Sequence, residues 1–169
     1  MISIYQATIP PALRILKNLG AVLAKGEAHC IARSIEPGVM LQSRLYPDMF
    51  PLVRQVQIAS DSARRLGARL AGLDAPSMPD TETSFAELQA RLTTSAAFLQ
   101  SLVADQFEGA ETREIVLPGR NGETRLSGLA YLQAFAIPTL YFHATTAFAI
   151  LRHNGVEIGK LDFLGAFTD

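Results

Sequence analysis

The residue of this chain best suited to chemistry is a single histidine within an apolar helical stretch. His143 follows Tyr141 and Phe142, and small and apolar residues dominate the sequence from there to Leu151. An imidazole on an apolar helix face costs free energy unless its ring nitrogens find partners. His143 therefore indicates a ligand, a metal ion or a structural hydrogen bond, and the sequence leaves these alternatives open.

The functional and the structural interpretation of His143 have about equal weight. In the first, the ring is a polar point in an apolar pocket that orients a small molecule or moves a proton. In the second, it is a core histidine bonded to a side chain across the bundle or to a backbone carbonyl. No catalytic residue is predicted.

Several common kinds of site are absent from the sequence. It has no P-loop, dinucleotide-binding glycine motif, His-Glu-x-x-His or Gly-x-Ser-x-Gly motif, nor the Glu-x-x-His pairs of di-iron bundles. Cys30 is the only cysteine, which excludes an internal disulfide and a cysteine-rich zinc site. Arg64, Arg65 and Arg69 are expected on a solvated helix face rather than at a nucleic-acid interface.

Length and composition predict one globular domain over residues 1–169, with 49% apolar and 18% charged residues. The net charge of −1 gives no general attraction for nucleic acid or an anionic membrane. No uninterrupted apolar run approaches the ~18 residues of a membrane span, and no basic residue precedes the first apolar stretch as in a signal peptide. A cytoplasmic location, with neither nucleic acid nor membrane as partner, is expected.

The periodicity of apolar residues predicts four long helices. The first runs from an N-cap at Thr8 to Ala32, with Pro10 and Pro11 in its first turn, and a short helix follows over Pro37–Leu41. The second begins near a cap at Asp48 and ends at Gly72. The third begins at Thr83 or Ser84, because Glu87 completes a capping box with Ser84.

A change of period predicts a β-hairpin before the fourth helix. Residues 113–117 and 123–126 flank an Asn121-Gly122 turn. The fourth helix then runs from Ser127 to His153, with a kink or local break expected at Pro138. The predicted fold is an all-α four-helix bundle with a short β-hairpin between helices three and four.

The end of the fourth helix resembles the DinB-like superfamily of four-helix bundles, whose members are described as metalloenzymes. The similar stretches are Phe142-His143-Ala144-Thr145-Thr146, then Leu151-Arg152, then Gly155-Val156. Together with Met49-Phe50-Pro51 and Tyr141-Phe142-His143, they resemble an uncharacterised bacterial branch of unknown function. The resemblance extends over the whole chain in helix order and implies the DinB-like type of bundle.

The resemblance implies a degenerate metal site. Metal-binding members supply one histidine from helix two and two, four residues apart, from helix four. Here His143 matches one position, Thr139 the other on that helix, and Gln55, or Gln57 in a shifted register, the position on helix two. Together with Tyr141 and Arg54 these are the predicted pocket residues, and in the structural interpretation of His143 its partner is Gln55. Hydroxyl and amide oxygens are weak ligands for zinc or nickel compared with imidazole. No cofactor is predicted, although His143 is a weak candidate ligand for zinc or nickel.

Three functions follow as hypotheses. The first is a bundle that binds a small molecule around His143. The second is a metal-dependent enzyme, implied by the resemblance to be a transferase that uses a low-molecular-weight thiol. The third is a non-catalytic dimer with a stress or regulatory role.

A homodimer is expected because apolar residues at both chain ends would make a large patch if exposed together. The alternative is that the ends pack onto their own bundle. The residues concerned are Ile2, Ile4, Tyr5, Ile9, Phe163, Leu164 and Phe167.

Overall fold

A computed structural model describes residues 2–119 and 122–166 of the protein. Within them the predicted helical bundle with a small hairpin is confirmed. The elements are α1 (Ile4–Arg33), α2 (Pro37–Gln42), α3 (Leu52–Ala71), α4 (Phe85–Gln100), a 3₁₀ turn (Ala104–Phe107), β1 (Glu114–Gly119), β2 (Gly122–Ser127), α5 (Gly128–Tyr131), a π-helical turn (Leu132–Ala136), α6 (Ile137–His153) and α7 (Lys160–Leu164).

The first helix begins earlier than predicted. The side chains of Ser3 and Gln6 form a capping box, so α1 begins at Ile4, and the prediction of Thr8 as N-cap was wrong. Thr8 is instead buried inside the helix. Pro10 and Pro11 lie beyond the first turn, where their missing N–H groups remove hydrogen bonds that the rest of this 30-residue helix tolerates.

The helix that carries Gln55 begins later than predicted. Asp48 is exposed in the preceding turn, and Pro51 occupies the N-cap position of α3, so the Asp48 cap was wrong. The predicted end at Gly72 is confirmed, because this glycine adopts the left-handed conformation with φ of 73°. The predicted capping box of Ser84 and Glu87 is also present at the start of α4.

The hairpin is close to its predicted position, and Ile115 pairs with Leu126 in its antiparallel register. Ile115 and Leu117 are buried and attach the hairpin to the bundle. Gly122 has a positive φ of 113° in the turn, whereas Asn121 lies outside the described residues.

The fourth helix contains the local break expected near Pro138. Helices α5 and α6 join through the π-helical turn Leu132–Ala136, so the helical region extends from Gly128 to His153. A π turn widens the backbone and re-aims the side chains around it. Pro138 lies directly after this turn, in the first turn of α6. At that position a residue without an N–H group does not interrupt the hydrogen bonds of the regular helix.

The same 26-residue stretch, Gly128–His153, is long and apolar enough to cross a membrane by length and composition alone. It is not an uninterrupted apolar run, because polar but uncharged residues such as Thr139 and His143 are scattered along it. Its inner face, which includes Leu140, Ala144 and Ile150, is buried in the bundle core. A buried core helix of a folded domain has this same composition, so the finding is weak support for a membrane span.

Most of the apolar residues at the chain ends pack against their own bundle. Ile4 and Ile9 are buried, and Tyr5 stacks edge-on against Phe107 with ring centroids 5.3 Å apart. Phe163, in the unpredicted helix α7, packs in the same manner against Phe148. Ile2 is 78% exposed, and Phe167 lies outside the described residues. Association of two copies stays a prediction, but these residues supply little of its surface.

Candidate functional site

The histidine on α6 lies against the glutamine predicted for α3. His143 Nδ1 is 2.7 Å from Gln55 Oε1, while near the other end of α3 Arg69 contacts Tyr131. These two contacts show that α3 and the α5–α6 region run antiparallel along their shared face. Gln55 is 2% exposed. The His143 ring, which its place on an apolar helix face predicts to be mostly buried, is half-buried.

A second hydrogen bond fixes the orientation of the Gln55 amide. Its Nε2 donates to the Phe50 carbonyl at 3.1 Å, just ahead of α3. Because only the nitrogen of the amide can donate, Oε1 must point towards His143. An amide oxygen only accepts, and the hydrogen on the imidazole therefore lies on Nδ1.

This arrangement leaves Nε2 of His143 as the nitrogen that carries the lone pair in the neutral ring. Among the described residues Nε2 has no hydrogen-bond partner. Burial lowers the pKa of His143, and the positive charge of Arg54 lowers it further. The site therefore presents a neutral, oriented imidazole whose second nitrogen can accept a proton or a hydrogen bond.

The two other predicted pocket residues of α6 do not complete a ligand set with His143. The Thr139 hydroxyl, one turn earlier, donates to the Phe135 carbonyl of the π-helical turn at 2.6 Å. Tyr141 is exposed, and two residues along a helix place it about 200° around the axis from His143. Phe142 contacts the imidazole edge-on, with ring centroids 5.1 Å apart.

Gln57 does not reach His143, so the shifted register was wrong. It lies about 200° around α3 from Gln55 and therefore faces α4 and the preceding loop. There its amide donates to Glu82 at 2.8 Å and accepts from Arg54 at 3.2 Å. Arg54 also forms an ion pair with Asp80, and its guanidinium lies 5.9 Å from the centre of the Phe50 ring.

Sequence reasoning missed a buried network of charges next to these residues. Arg91 of α4 is fully buried and donates to Asp61 at 2.6 Å and to Glu82 at 2.8 Å. It also lies 2.9 Å from an Asp80 carboxylate oxygen and donates to the Pro79 carbonyl at the same distance. These bonds hold the loop between α3 and α4 against both helices.

Arg64 belongs to the same network, so its placement on a solvated face was wrong. It is buried, pairs with Asp61 and donates to Ser95 at 3.1 Å. Burial works to raise the pKa of Glu82, but hydrogen bonds from Arg91 and Gln57 outweigh it and hold that pKa below its ordinary value. The one available signal was Arg91 itself, which lies on the apolar face of α4 between Leu88 and Leu92.

The donors around His143 fit a transition metal poorly. Gln55 Oε1 accepts from the ring, and the Thr139 hydroxyl is engaged with the backbone. Over residues 2–119 and 122–166, no three His, Cys, Asp or Glu side chains converge as a metal would require. Metal-binding histidines also donate a hydrogen bond from the nitrogen that does not bind the metal, as His143 Nδ1 does here, but the described residues offer no further strong ligands beside Nε2.

The sequence matches a domain of unknown function, DUF1993, over residues 4–164. Among solved structures it is similar to a DinB family member from Shewanella denitrificans, with 44% identity and a TM-score of 0.92. That match covers 96% of this chain and 92% of the other. The comparison with curated proteins found no match.

Proposed function

The chain belongs to the DUF1993 family and has the DinB-like fold, and from this premise we propose that it binds a small molecule through Nε2 of His143. The observation that carries the proposal is the chain of bonds from the Phe50 carbonyl through Gln55 to Nδ1. Gln55 is buried and held at both ends of its amide, so it fixes the tautomer and orientation of the ring.

The bond to Gln55 would also suit a structural histidine. What favours a ligand is that Nε2 of this half-buried ring has no hydrogen-bond partner among the described residues. An apolar side chain at the same position would pack against α3 without requiring a buried amide as partner. The lowered pKa keeps the ring neutral near pH 7, the form in which Nε2 accepts. His143 would thus accept a hydrogen bond or a proton from a bound ligand.

The first prediction concerns the state of this ring. We expect the neutral Nδ1–H tautomer at pH 7 in nitrogen-15 NMR spectra, with a pKa below the ordinary value of about 6.5. Gln55→Leu removes the acceptor and should increase the population of the Nε2–H tautomer. Gln57→Leu, which changes an amide on the opposite face of α3, should leave the tautomer unaltered. An Nε2–H ring in the unmodified protein would contradict the proposed orientation.

The lowered pKa has a consequence for stability. At pH values well above 6.5 the ring is neutral in both the folded and the unfolded chain. As the pH falls through about 6.5, the unfolded chain binds the proton first, so the folded state loses stability. His143→Gln should reduce this loss between pH 7.5 and 5.5 in denaturation measurements.

The second prediction tests the function itself. Protein purified without a nickel column and examined by native mass spectrometry should carry a small-molecule adduct and no stoichiometric zinc or nickel. The His143→Gln variant can still donate to Gln55, so it should fold yet lose the adduct. His153→Gln, which changes an exposed histidine on the same helix, should retain it.

The same spectra distinguish the alternative functions. About one zinc or nickel ion per chain, lost in His143→Gln, would favour the metal-dependent, thiol-using transferase suggested by the family resemblance. A dimer mass with neither adduct nor metal would favour the non-catalytic dimer. Either result would contradict the small-molecule proposal.

A further inference from the structure

A cavity of about 580 Å³ lies between α3, the hairpin and the π-helical turn. This volume is within the range of small-molecule sites in proteins. Thr139 is among its lining residues, but His143 is not, so it is separate from the contact between His143 and Gln55. A π-helical turn forms one wall, and such turns are frequent at functional sites.

One wall of the cavity carries positive charge. Arg65 and Arg69 are four residues apart on α3 and so project from one face. No Asp or Glu of the described residues lines the cavity. Arg65 is 57% exposed and reaches Asp61 at 3.2 Å, outside the cavity lining.

Arg69 has an uncharged partner. It donates to the Tyr131 hydroxyl at 3.3 Å, and its guanidinium lies 5.5 Å from the centre of the same ring. Among the described residues it forms no ion pair with a carboxylate, although a guanidinium has five N–H donors. The Tyr131 ring stacks with Phe135 at 5.9 Å, which fixes the surface on which the guanidinium lies.

The other lining residues include a group of apolar side chains: Leu117 and Leu126 of the hairpin, Ile58 of α3 and Phe135 of the π-helical turn. These side chains would exclude water from an aliphatic or aromatic body, while the arginines would hold an anionic head. We infer that the cavity binds a small organic carboxylate, with the carboxylate on Arg69 and the apolar body against the hairpin.

Hexanoate is the probe for this site. In two-dimensional NMR spectra of the full chain, it should shift amide signals of the hairpin and of the π-helical turn. Hexan-1-ol has the same body without the charge, and acetate has the charge without the body. Both should bind more weakly than hexanoate if the cavity recognises the two parts together.

Substitutions of single arginines test whether the carboxylate of hexanoate binds to Arg69. Arg69→Gln should weaken hexanoate binding roughly tenfold or more, since it removes a charged donor. Arg14→Gln removes an exposed arginine on α1 and should leave the affinity unchanged. Tyr131→Phe keeps the ring and releases Arg69 from the hydroxyl, so it should bind hexanoate at least as tightly and provides a second test if Arg69→Gln misfolds.

Three results would overturn the inference: no hairpin shifts with hexanoate, equal binding of hexan-1-ol, or equal affinities of the Arg69→Gln and Arg14→Gln variants. His143→Gln should not change the affinity for hexanoate. The inference and the proposed function of His143 therefore fail or succeed separately.

Discussion

Arg91→Met should destabilise the protein by about 3–5 kcal/mol, the cost typical of removing one partner from a buried ion pair. The Arg91 side chain is 0% exposed, and its loss leaves the largely buried Glu82 carboxylate without its guanidinium partner. Most domains have a total stability of about 5–15 kcal/mol, so a large part of it would be lost. Chemical denaturation of the two proteins at pH 7 measures the difference.

Arg65→Met is the matched control for this prediction. Arg65 also pairs with Asp61, but its side chain is 57% exposed, so the pair is worth about 1 kcal/mol or less. Because Arg91 also holds the loop that precedes α4, limited proteolysis should cut Arg91→Met, and not Arg65→Met, within residues 73–81. Equal stability of the two variants would show that the buried network contributes little.

Local signals in the sequence were sufficient for much of the fold. The capping box of Ser84 with Glu87 and the left-handed Gly72 depend on residues a few positions apart, and both were predicted correctly. The N-cap of the first helix was predicted wrongly. Thr8 was predicted because a cap there places Pro10 and Pro11 in the first turn, yet the capping box of Ser3 with Gln6 satisfies two backbone donors and starts the helix at Ile4.

The pairing of His143 with Gln55 was predicted only through the family resemblance, which aligned helix two with helix four. The family resemblance did not indicate the buried network of charges. Its members, Asp61, Asp80, Glu82 and Arg91, come from two helices and the loop between them, and arginine is rarely buried unless it is paired. Pairing over such sequence distances is decided by tertiary packing, which periodicity along one helix does not reveal.

The cavity also depends on the close approach of Gly128 to Ala110, because Gly128 begins the short helix that carries Tyr131. A Cβ atom at Gly128 would lie 1.8 Å from the carbonyl oxygen of Ala110. The neighbouring Leu129 amide donates to the Glu111 carbonyl at 3.0 Å, so the two backbone segments are bonded where they meet. Only glycine permits this junction between β2 and α5 without a backbone shift.

Gly128→Ala should therefore destabilise the protein by about 3 kcal/mol, the upper end of the usual cost of overpacking, because the obstructing atom belongs to the backbone. Gly38→Ala is the matched control: it lies in α2 with nothing within 4 Å of the added Cβ, and alanine should stabilise that helix by about 0.5–1 kcal/mol. The thermal unfolding temperatures of the two variants should thus shift in opposite directions.

Since the junction orients both the hairpin and Tyr131, Gly128→Ala should also weaken hexanoate binding in any fraction that remains folded. If Gly128→Ala were as stable as the unmodified chain, the close contact between Gly128 and Ala110 would be wrong. The position of the hairpin, and with it the shape of the cavity, would then also be wrong.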